Sequence, residues 1–216
     1  MAFIWHMEES RRRKRRERRP PKPLDAARME EMALAYVARF ATSAAKLETY
    51  LKRKLRERGY ADDPNGETGA GVELAERLVA RFVDVGYVDD EGYAKARSRS
   101  LTRRGYGARR VEATLRHAGI EEDVRADAAP SEYHQRQAAL ALARKRGFGP
   151  FGKSDLNERT DDGFEATRKR QAVREKQLAA MIRAGHTFDM AREVLDAGNS
   201  QEAECWADEL AAEHSE

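Results

Sequence analysis

Apolar side chains recur every three or four positions along nearly the whole chain from Met29 onward. This spacing gathers them on one side of an α-helix, because an α-helix has 3.6 residues per turn. The first three apolar stripes are Leu34, Val37 and Phe40, then Leu47, Leu51 and Leu55, then Leu74, Leu78 and Phe82. The pattern predicts three helices, the second with Thr42 as its N-cap, and a turn-rich loop over residues 61–71 before the third.

The same helical spacing of apolar residues continues through the rest of the chain. Helices are predicted over residues 89–104, 108–118 and 121–129, then over 131–146, 166–184 and 187–197, with an acidic helix over 201–212. The second helix of each group has a large apolar residue four positions before a glycine: Leu55 and Gly59, Leu115 and Gly119, Met181 and Gly185. Glycine often ends helices because it adopts the left-handed conformation at little cost. The pattern therefore predicts an all-α fold, an elongated array of three tandem three-helix repeats that bury each other's apolar faces.

The predicted organisation has five parts. They are a disordered basic arm (1–28), repeat 1 (29–86), repeat 2 (87–130), repeat 3 (131–198) with a loop insertion at 149–163, and an acidic C-terminal helix or tail (199–216). Residues 11–22 hold nine basic side chains and one acidic one, whereas residues 189–216 hold nine acidic side chains and one basic one. The basic arm is expected to stay solvated. It either keeps the protein soluble or attracts phosphate by counterion release, and both readings stay open.

The amino-acid composition indicates the class of protein and its cellular location. Charged residues form 37% of the chain and aromatic residues 7%, compared with roughly 25% charged residues in an average soluble domain. Cys205 is the only cysteine, which predicts no disulfide framework, no cysteine-based zinc site and a cytoplasmic location. No apolar run approaches the roughly 18 residues of a membrane span, and an arginine block follows the apolar start where a signal peptide would be apolar. We expect a soluble protein with no membrane partner.

The run GFGPFGKS (147–154) matches the phosphate-loop pattern letter for letter. A phosphate loop follows a buried β-strand and opens a helix whose N-terminus holds the phosphates. Here the preceding residues 138–146 have helical spacing, and the following DLNERTDDG is polar and turn-prone. An ATPase is therefore disfavoured, and the run is interpreted as a glycine-rich surface loop.

Other catalytic patterns are no stronger. The five histidines are scattered without metal-ligand spacing, and each is expected at a surface or an interface. Asp89 and Asp90 are placed to cap a helix. The sequence therefore predicts a protein that is not an enzyme, with no metal and no cofactor.

Residues 86–120 form the most distinctive segment. Between Tyr93 and Arg116 there are eight basic residues and one acidic one. Lys95, Arg99 and Arg103 recur every four residues and should form one stripe on a helix. The predicted contacts are Lys95, Arg97, Arg99, Arg103, Arg104, Arg109 and Arg110, followed by the basic triplet Lys52, Arg53 and Lys54. Such a surface suits an acidic protein or a phosphate backbone.

This segment, GYVDDEGYAKARSRSLTRRGYGARRVEATLRHAGI, resembles the signature of the RecX regulatory proteins, which modulate the RecA recombinase. The residues that carry the resemblance are Gly86, Tyr87, Asp89, Asp90, Tyr93, Ala94, Gly105, Gly107, Leu115, Gly119 and Ile120. Residues 33–55 are similar to the family's opening unit and residues 176–196 to its closing unit. One departure is Lys46, which stands three residues after Ser43 where family members commonly have an acid.

The resemblance implies a curved array of three-helix repeats that lodges in the groove of the RecA filament on single-stranded DNA. It further implies that the protein restrains filament growth, ATP hydrolysis, strand exchange and co-protease activity in DNA repair and the SOS response. A monomer with weak contacts to single- or double-stranded DNA is expected. A protein that binds DNA directly remains the alternative, because basic helices also suit phosphate.

Overall fold

The computed structural model describes residues 22–63, 65–152 and 164–211. Their regular structure is helical, apart from isolated bridges of Tyr60 with Leu24 and Asp63. The helices are α1 (Ala26–Arg39), α2 (Ala44–Arg58), α3 (Ala70–Asp84), α4 (Asp90–Arg103), α5 (Ala108–His117), α6 (Glu122–Asp127), α7 (Glu132–Arg146), α8 (Phe164–Arg183), α9 (Phe188–Asp196) and α10 (Ser200–Asp208), with a 3-10 helix at Gly149–Phe151. The predicted all-α fold is confirmed. The basic run at residues 11–21 lies outside the described residues.

Most helices begin at a small polar residue whose side chain accepts a backbone hydrogen bond. Asp25, Ser43, Asp89, Ser131, Thr187 and Asn199 do so for α1, α2, α4, α7, α9 and α10. The predicted N-cap Thr42 was wrong by one residue, since Ser43 accepts from Lys46 N instead. Thr42 is buried, and its hydroxyl donates to the Ser43 carbonyl.

Three hydrophobic clusters follow the three groups of helices. Met29, Leu47, Leu51 and Phe82 centre the first cluster, Leu101, Val111, Leu115 and Ile120 the second, and Ala143, Met181, Ala191 and Val194 the third. The residues predicted four before a glycine, Leu55, Leu115 and Met181, are all buried. Gly59, Gly119 and Gly185 have φ of 74°, 73° and 98°. The predicted tandem repeat is therefore present.

The second helices of the repeats, α2, α5 and α8, meet end to end. Gly107 N, at the start of α5, donates to Ala184 O after α8 (3.0 Å), and Arg109 N donates to Gly185 O (3.2 Å). Ser43 Oγ, at the start of α2, donates to Ala118 O after α5 (2.6 Å). Each helix C-terminus thus meets the N-terminus of the corresponding helix one repeat earlier, which satisfies end groups that a helix leaves unpaired.

Both ends of the described array are covered by extra segments. At one end, Leu24 N donates to Gly59 O (2.9 Å) after α2, and the Leu24 side chain is fully buried. At the other end, α10 packs Ala203 and Ala207 on Leu140 of α7. These segments take the place of a neighbouring repeat, as terminal caps do in repeat proteins.

The start of the predicted 149–163 loop is not a simple surface loop. Phe148 and Phe151 are half-buried against the third cluster, and Gly149 N donates to Gln177 Oε1 (3.0 Å). A Cβ at Gly149 would lie 2.9 Å from Leu195 Cα, so glycine is needed there for close packing. Residues 153–163 lie outside the described residues.

Candidate partner-binding surface

The basic stripe predicted on α4 is exposed. Lys95, Arg99 and Arg103 are all open to solvent. The buried residues of α4 are Ala94, Ser98, Leu101 and Thr102. The helix is therefore amphipathic, with cations on its open side.

The arginines of this surface differ in how they are paired. Within the described part of the chain, Arg99, Arg103, Arg109 and Arg110 are exposed and form no ion pair. Lys95, by contrast, lies 3.3 Å from Glu91 Oε2. The four unpaired guanidinium groups are available to a partner's carboxylate or phosphate, and no internal ion pair has to break first.

Arg97 and Arg104 occupy different environments from these four. Arg97 is half-buried, and its buried Nε has no hydrogen-bond partner in the described ranges. Arg104 is exposed, with its guanidinium carbon 5.5 Å from the ring centre of Tyr106. Arg97 is thus partly withdrawn from the surface, whereas Arg104 lies over an aromatic face.

A short turn joins the C-terminus of α4 to the N-terminus of α5. Gly105 has φ of 87°, its N–H donates to Thr102 O (2.9 Å), and a Cβ there would lie 3.0 Å from Leu142 N of α7. A Cβ at Gly107 would lie 2.3 Å from Gly185 O. The turn therefore holds repeat 2 directly against the backbone of repeat 3, which fixes Arg103, Arg104 and Arg109 relative to that repeat.

The basic triplet on α2 is largely neutralised by neighbouring acids. Lys52 Nζ lies 2.5 Å from Glu48 Oε1 and 2.9 Å from Glu76 Oε1. Its hydrogen bonds to these two carboxylates raise the pKa of Lys52. The triplet's other two members share one acid, with Arg53 and Lys54 lying 3.8 Å and 2.5 Å from Glu57. The hydrogen bond from Lys54 lowers the pKa of Glu57.

Several signature residues hold repeat 1 to repeat 2. Asp89 caps α4 as predicted, accepting from Gly92 N (2.8 Å). Asp90 instead accepts from Ala44 N (2.9 Å), at the start of α2 in the preceding repeat. Burial raises the pKa of Asp90, against the effect of this hydrogen bond. Lys46 Nζ donates to the Tyr93 hydroxyl and lies 4.8 Å from the centre of that ring.

The remaining signature residues are mostly structural. Ala94, Leu115 and Ile120 are buried in the second cluster. A Cβ at Gly119 would lie 2.3 Å from the Ala45 Cβ of repeat 1. Tyr87 is exposed, packing edge-on against Phe82 after the turn at Gly86. The signature therefore builds the junctions between repeats, and the arginines set among its residues form the open surface.

Two further cations were missing from the predicted set. Lys145 and Arg146, at the end of α7, lie beside Arg104 and Tyr106 around a cleft of about 110 Å³. They are about forty positions from Arg104 in the sequence, so no helical spacing connects them. The available signal was the run Arg144-Lys145-Arg146 directly before a helix-ending glycine.

The described residues also bear on ATP binding, metal binding and membrane insertion. The residues before GFGPFGKS belong to α7 and not to a strand, while Lys153 and Ser154 of that run lie outside the described residues. The structure-described ranges contain no group of three or more His, Cys, Asp or Glu side chains placed to hold a metal ion. In those same ranges, no helix has the length and apolar character needed to cross a membrane.

Comparisons with known proteins agree on one family. A family model for the second three-helix domain of RecX matches residues 89–128. The regulatory protein RecX of Myxococcus xanthus is 33% identical over 188 residues, covering 85% of this chain and 93% of that protein. The RecX of a Mycobacterium species (strain KMS) is 39% identical over 106 residues, covering 48% of this chain and 52% of the relative. The crystal structure of RecX from Lactobacillus salivarius shares the fold, with a TM-score of 0.55 at 16% identity, over 79% of this chain and 96% of that one.

Proposed function

Because this chain belongs to the RecX family of regulatory proteins, we propose that it binds the RecA filament on single-stranded DNA and restrains its activities. Those activities are ATP hydrolysis, strand exchange and co-protease action. The protein acts by binding, as a cytoplasmic monomer without a cofactor, and makes or breaks no bond itself.

The observation that carries the proposal is the set of four exposed arginines that lack an ion pair in the described ranges, on α4 and at the start of α5. A nucleoprotein filament offers both carboxylates and phosphates, and guanidinium groups bind either of them bidentately. The backbone contacts at Gly105 and Gly107 support the proposal further, because they hold these arginines on a rigid frame. A rigid backbone leaves only the side chains to be ordered when the partner binds, which lowers the entropy cost of binding.

Reversing two of these charges tests the proposal. The Arg99→Glu/Arg103→Glu variant is expected to need at least about tenfold more protein to half-inhibit recombinase ATP hydrolysis on single-stranded DNA, a change of roughly 1.4 kcal/mol in binding. Helical content measured by circular dichroism should stay the same, because both side chains are exposed.

A matched control separates a local contact from the loss of net charge. Arg28→Glu/Arg77→Glu makes the same change in charge on exposed positions of α1 and α3, and it should inhibit like the unaltered protein. Equal loss in both variants, or no loss in the first, would contradict the assignment of this surface. Binding to bare single-stranded DNA is measured in parallel, because affinity equal to that for the filament would favour the alternative of a direct DNA-binding protein.

A further inference from the structure

The cleft between repeats 2 and 3 combines cations with aromatic rings. Arg104, Lys145 and Arg146 lie at its exposed edge, and Tyr106, Leu142 and Phe148 supply its apolar lining. We propose that this cleft binds one nucleotide unit of a single-stranded nucleic acid, with phosphate at the three cations and the base against the rings. The proposal is independent of the filament contact assigned to Arg99 and Arg103, because it concerns different side chains.

The exposed edge of the cleft carries a surplus of positive charge. Arg104, Lys145 and Arg146 form no ion pair with any described acid, whereas the adjacent Arg144 lies 2.5 Å from Glu204 and is neutralised. Basic residues near a helix C-terminus also offset the helix dipole, whose negative end is worth roughly half a charge. The ends of α4, α7 and α8 together account for roughly 1.5 negative charges by that measure. The cleft has three cations of its own, and Arg103 and Arg183 lie in the last turns of α4 and α8. Their positive charges together exceed the negative charge of the helix ends, so a positive surplus remains.

The size of the cleft limits what it can hold. A volume of about 110 Å³ is well above the roughly 10–15 Å³ that one water molecule needs by the same measure. It is well below the roughly 300 Å³ at which pockets begin to enclose a drug-sized ligand. The cleft therefore suits one small planar or anionic group, and a ligand held here gains affinity only if neighbouring units bind outside it. This favours a polymer over a free nucleotide.

The side chains of the cleft favour one kind of polymer, a single-stranded nucleic acid. A carboxylate on an acidic protein needs only the cations, and it leaves the rings of Tyr106 and Phe148 unused. The bases of a duplex are stacked and paired inside the helix, so they do not reach a side cleft. A single strand presents both phosphates and unstacked bases, and cations beside aromatic rings are the usual means of binding it. The guanidinium of Arg104 over the Tyr106 ring matches that arrangement.

The test uses the full-length protein with a fluorescein-labelled single-stranded dT 12-mer. Lys145→Gln/Arg146→Gln should weaken binding about tenfold near 0.1 M salt. It should also reduce the slope of log K against log salt by roughly 1.4, since each single-strand phosphate contact contributes about 0.7. An abasic 12-mer should bind the unaltered protein about tenfold more weakly than dT, because base stacking is lost. A 12-mer with 5-iododeoxyuridine should photocrosslink to Tyr106 or Phe148.

Several results would overturn the proposal. The control Arg28→Gln/Arg77→Gln removes the same charge from α1 and α3, and an equal loss of dT binding in this variant would mean that only net charge matters. Equal affinity for dT and the abasic strand would remove the role of the rings. If polyglutamate binds as tightly as dT, and if that binding depends on Lys145 and Arg146, the cleft is a site for an acidic protein instead. Filament inhibition is scored separately, so failure here leaves the proposed function standing.

Discussion

At the scale of single residues, His186 stands where repeat 2 has Ile120. Each follows the glycine that ends the second helix of its repeat, and each is buried. His186 Nε2 donates to Gly105 O (3.0 Å) across the junction, while Nδ1 has no hydrogen-bond partner in the described part of the chain. Burial lowers the pKa of His186, against the opposite effect of the bond to Gly105. A proton added at Nδ1 would therefore be buried without an acceptor.

This arrangement makes stability depend on pH. The unfolded chain binds a proton at His186 below about pH 6.5, whereas the folded protein does not until a lower pH, so stability is full above 6.5 and falls as the pH drops. We expect the free energy of unfolding to decrease by about 1 kcal/mol from pH 7.5 to 5.5 through this residue. His186→Ile should remove that part of the pH dependence in urea unfolding followed by circular dichroism.

The exposed His117 provides the matched control. His117→Asn should keep the pH dependence of the unaltered protein, because it leaves the buried imidazole of His186 and its bond to Gly105 unchanged. A His186→Ile protein that loses stability with falling pH as steeply as the unaltered one would disprove the assignment.

At the scale of elements, the junctions of α8 with α5 and of α5 with α2 are backbone-close contacts. They depend on residues without a side chain at the point of contact. Gly107 has a φ of −77°, which any residue can adopt. The cost of a Cβ at this position therefore comes from steric contact and not from backbone strain. That Cβ would lie 2.3 Å from Gly185 O, a backbone atom that cannot move aside alone.

Gly107→Ala should therefore destabilise the protein by about 3 kcal/mol, as overpacking against a rigid backbone does. Gly66→Ala is the comparison, because Gly66 has φ of 72° with open space around it, and only the conformational penalty of about 1 kcal/mol applies. Both values come from urea unfolding. A smaller loss for Gly107→Ala than for Gly66→Ala would show that the junction can open without cost.

At the scale of the whole molecule, the sequence predicted what depends on local spacing. Helix positions followed from 3.6-residue periodicity, and the repeat followed from Leu55, Leu115 and Met181, each four residues before a glycine. The contacts between repeats join distant positions, such as Ser43 Oγ with Ala118 O, which are 75 residues apart. No periodicity encodes such pairs, because they depend on how finished helices pack.

The candidate surface likewise has one part that helical spacing predicted and another that depends on tertiary packing. The stripe of Lys95, Arg99 and Arg103 lies on one helix and was visible as a four-residue spacing. The meeting of Arg104 with Lys145 and Arg146 requires α4 to cross α7, and the neutralisation of Lys52 requires Glu76 on a different helix. Residue type therefore indicated which side chains carry charge, and only tertiary packing decides which of those charges remain available.

The repeat architecture also predicts the order in which parts of the molecule unfold. Separate clusters joined by narrow junctions unfold together only while the junctions couple them. The first junction has side-chain hydrogen bonds from Ser43 Oγ to Ala118 O, from Ala44 N to Asp90 Oδ1 and from Lys46 Nζ to the Tyr93 hydroxyl. The first two are each worth about 1 kcal/mol. Ser43→Ala/Asp90→Ala should let repeat 1 unfold before repeats 2 and 3.

Two probes would detect this separation in a Trp5→Phe background. Circular dichroism reports all helices, whereas the fluorescence of Trp206 on α10 reports the far end of the array. In the protein that keeps Ser43 and Asp90, the two urea transitions should coincide, as two-state unfolding requires. In the double variant, the circular dichroism signal should begin to fall at lower urea than the fluorescence signal. Transitions that stay superimposed while moving together to lower urea would mean that the remaining junction contacts are enough to couple the repeats.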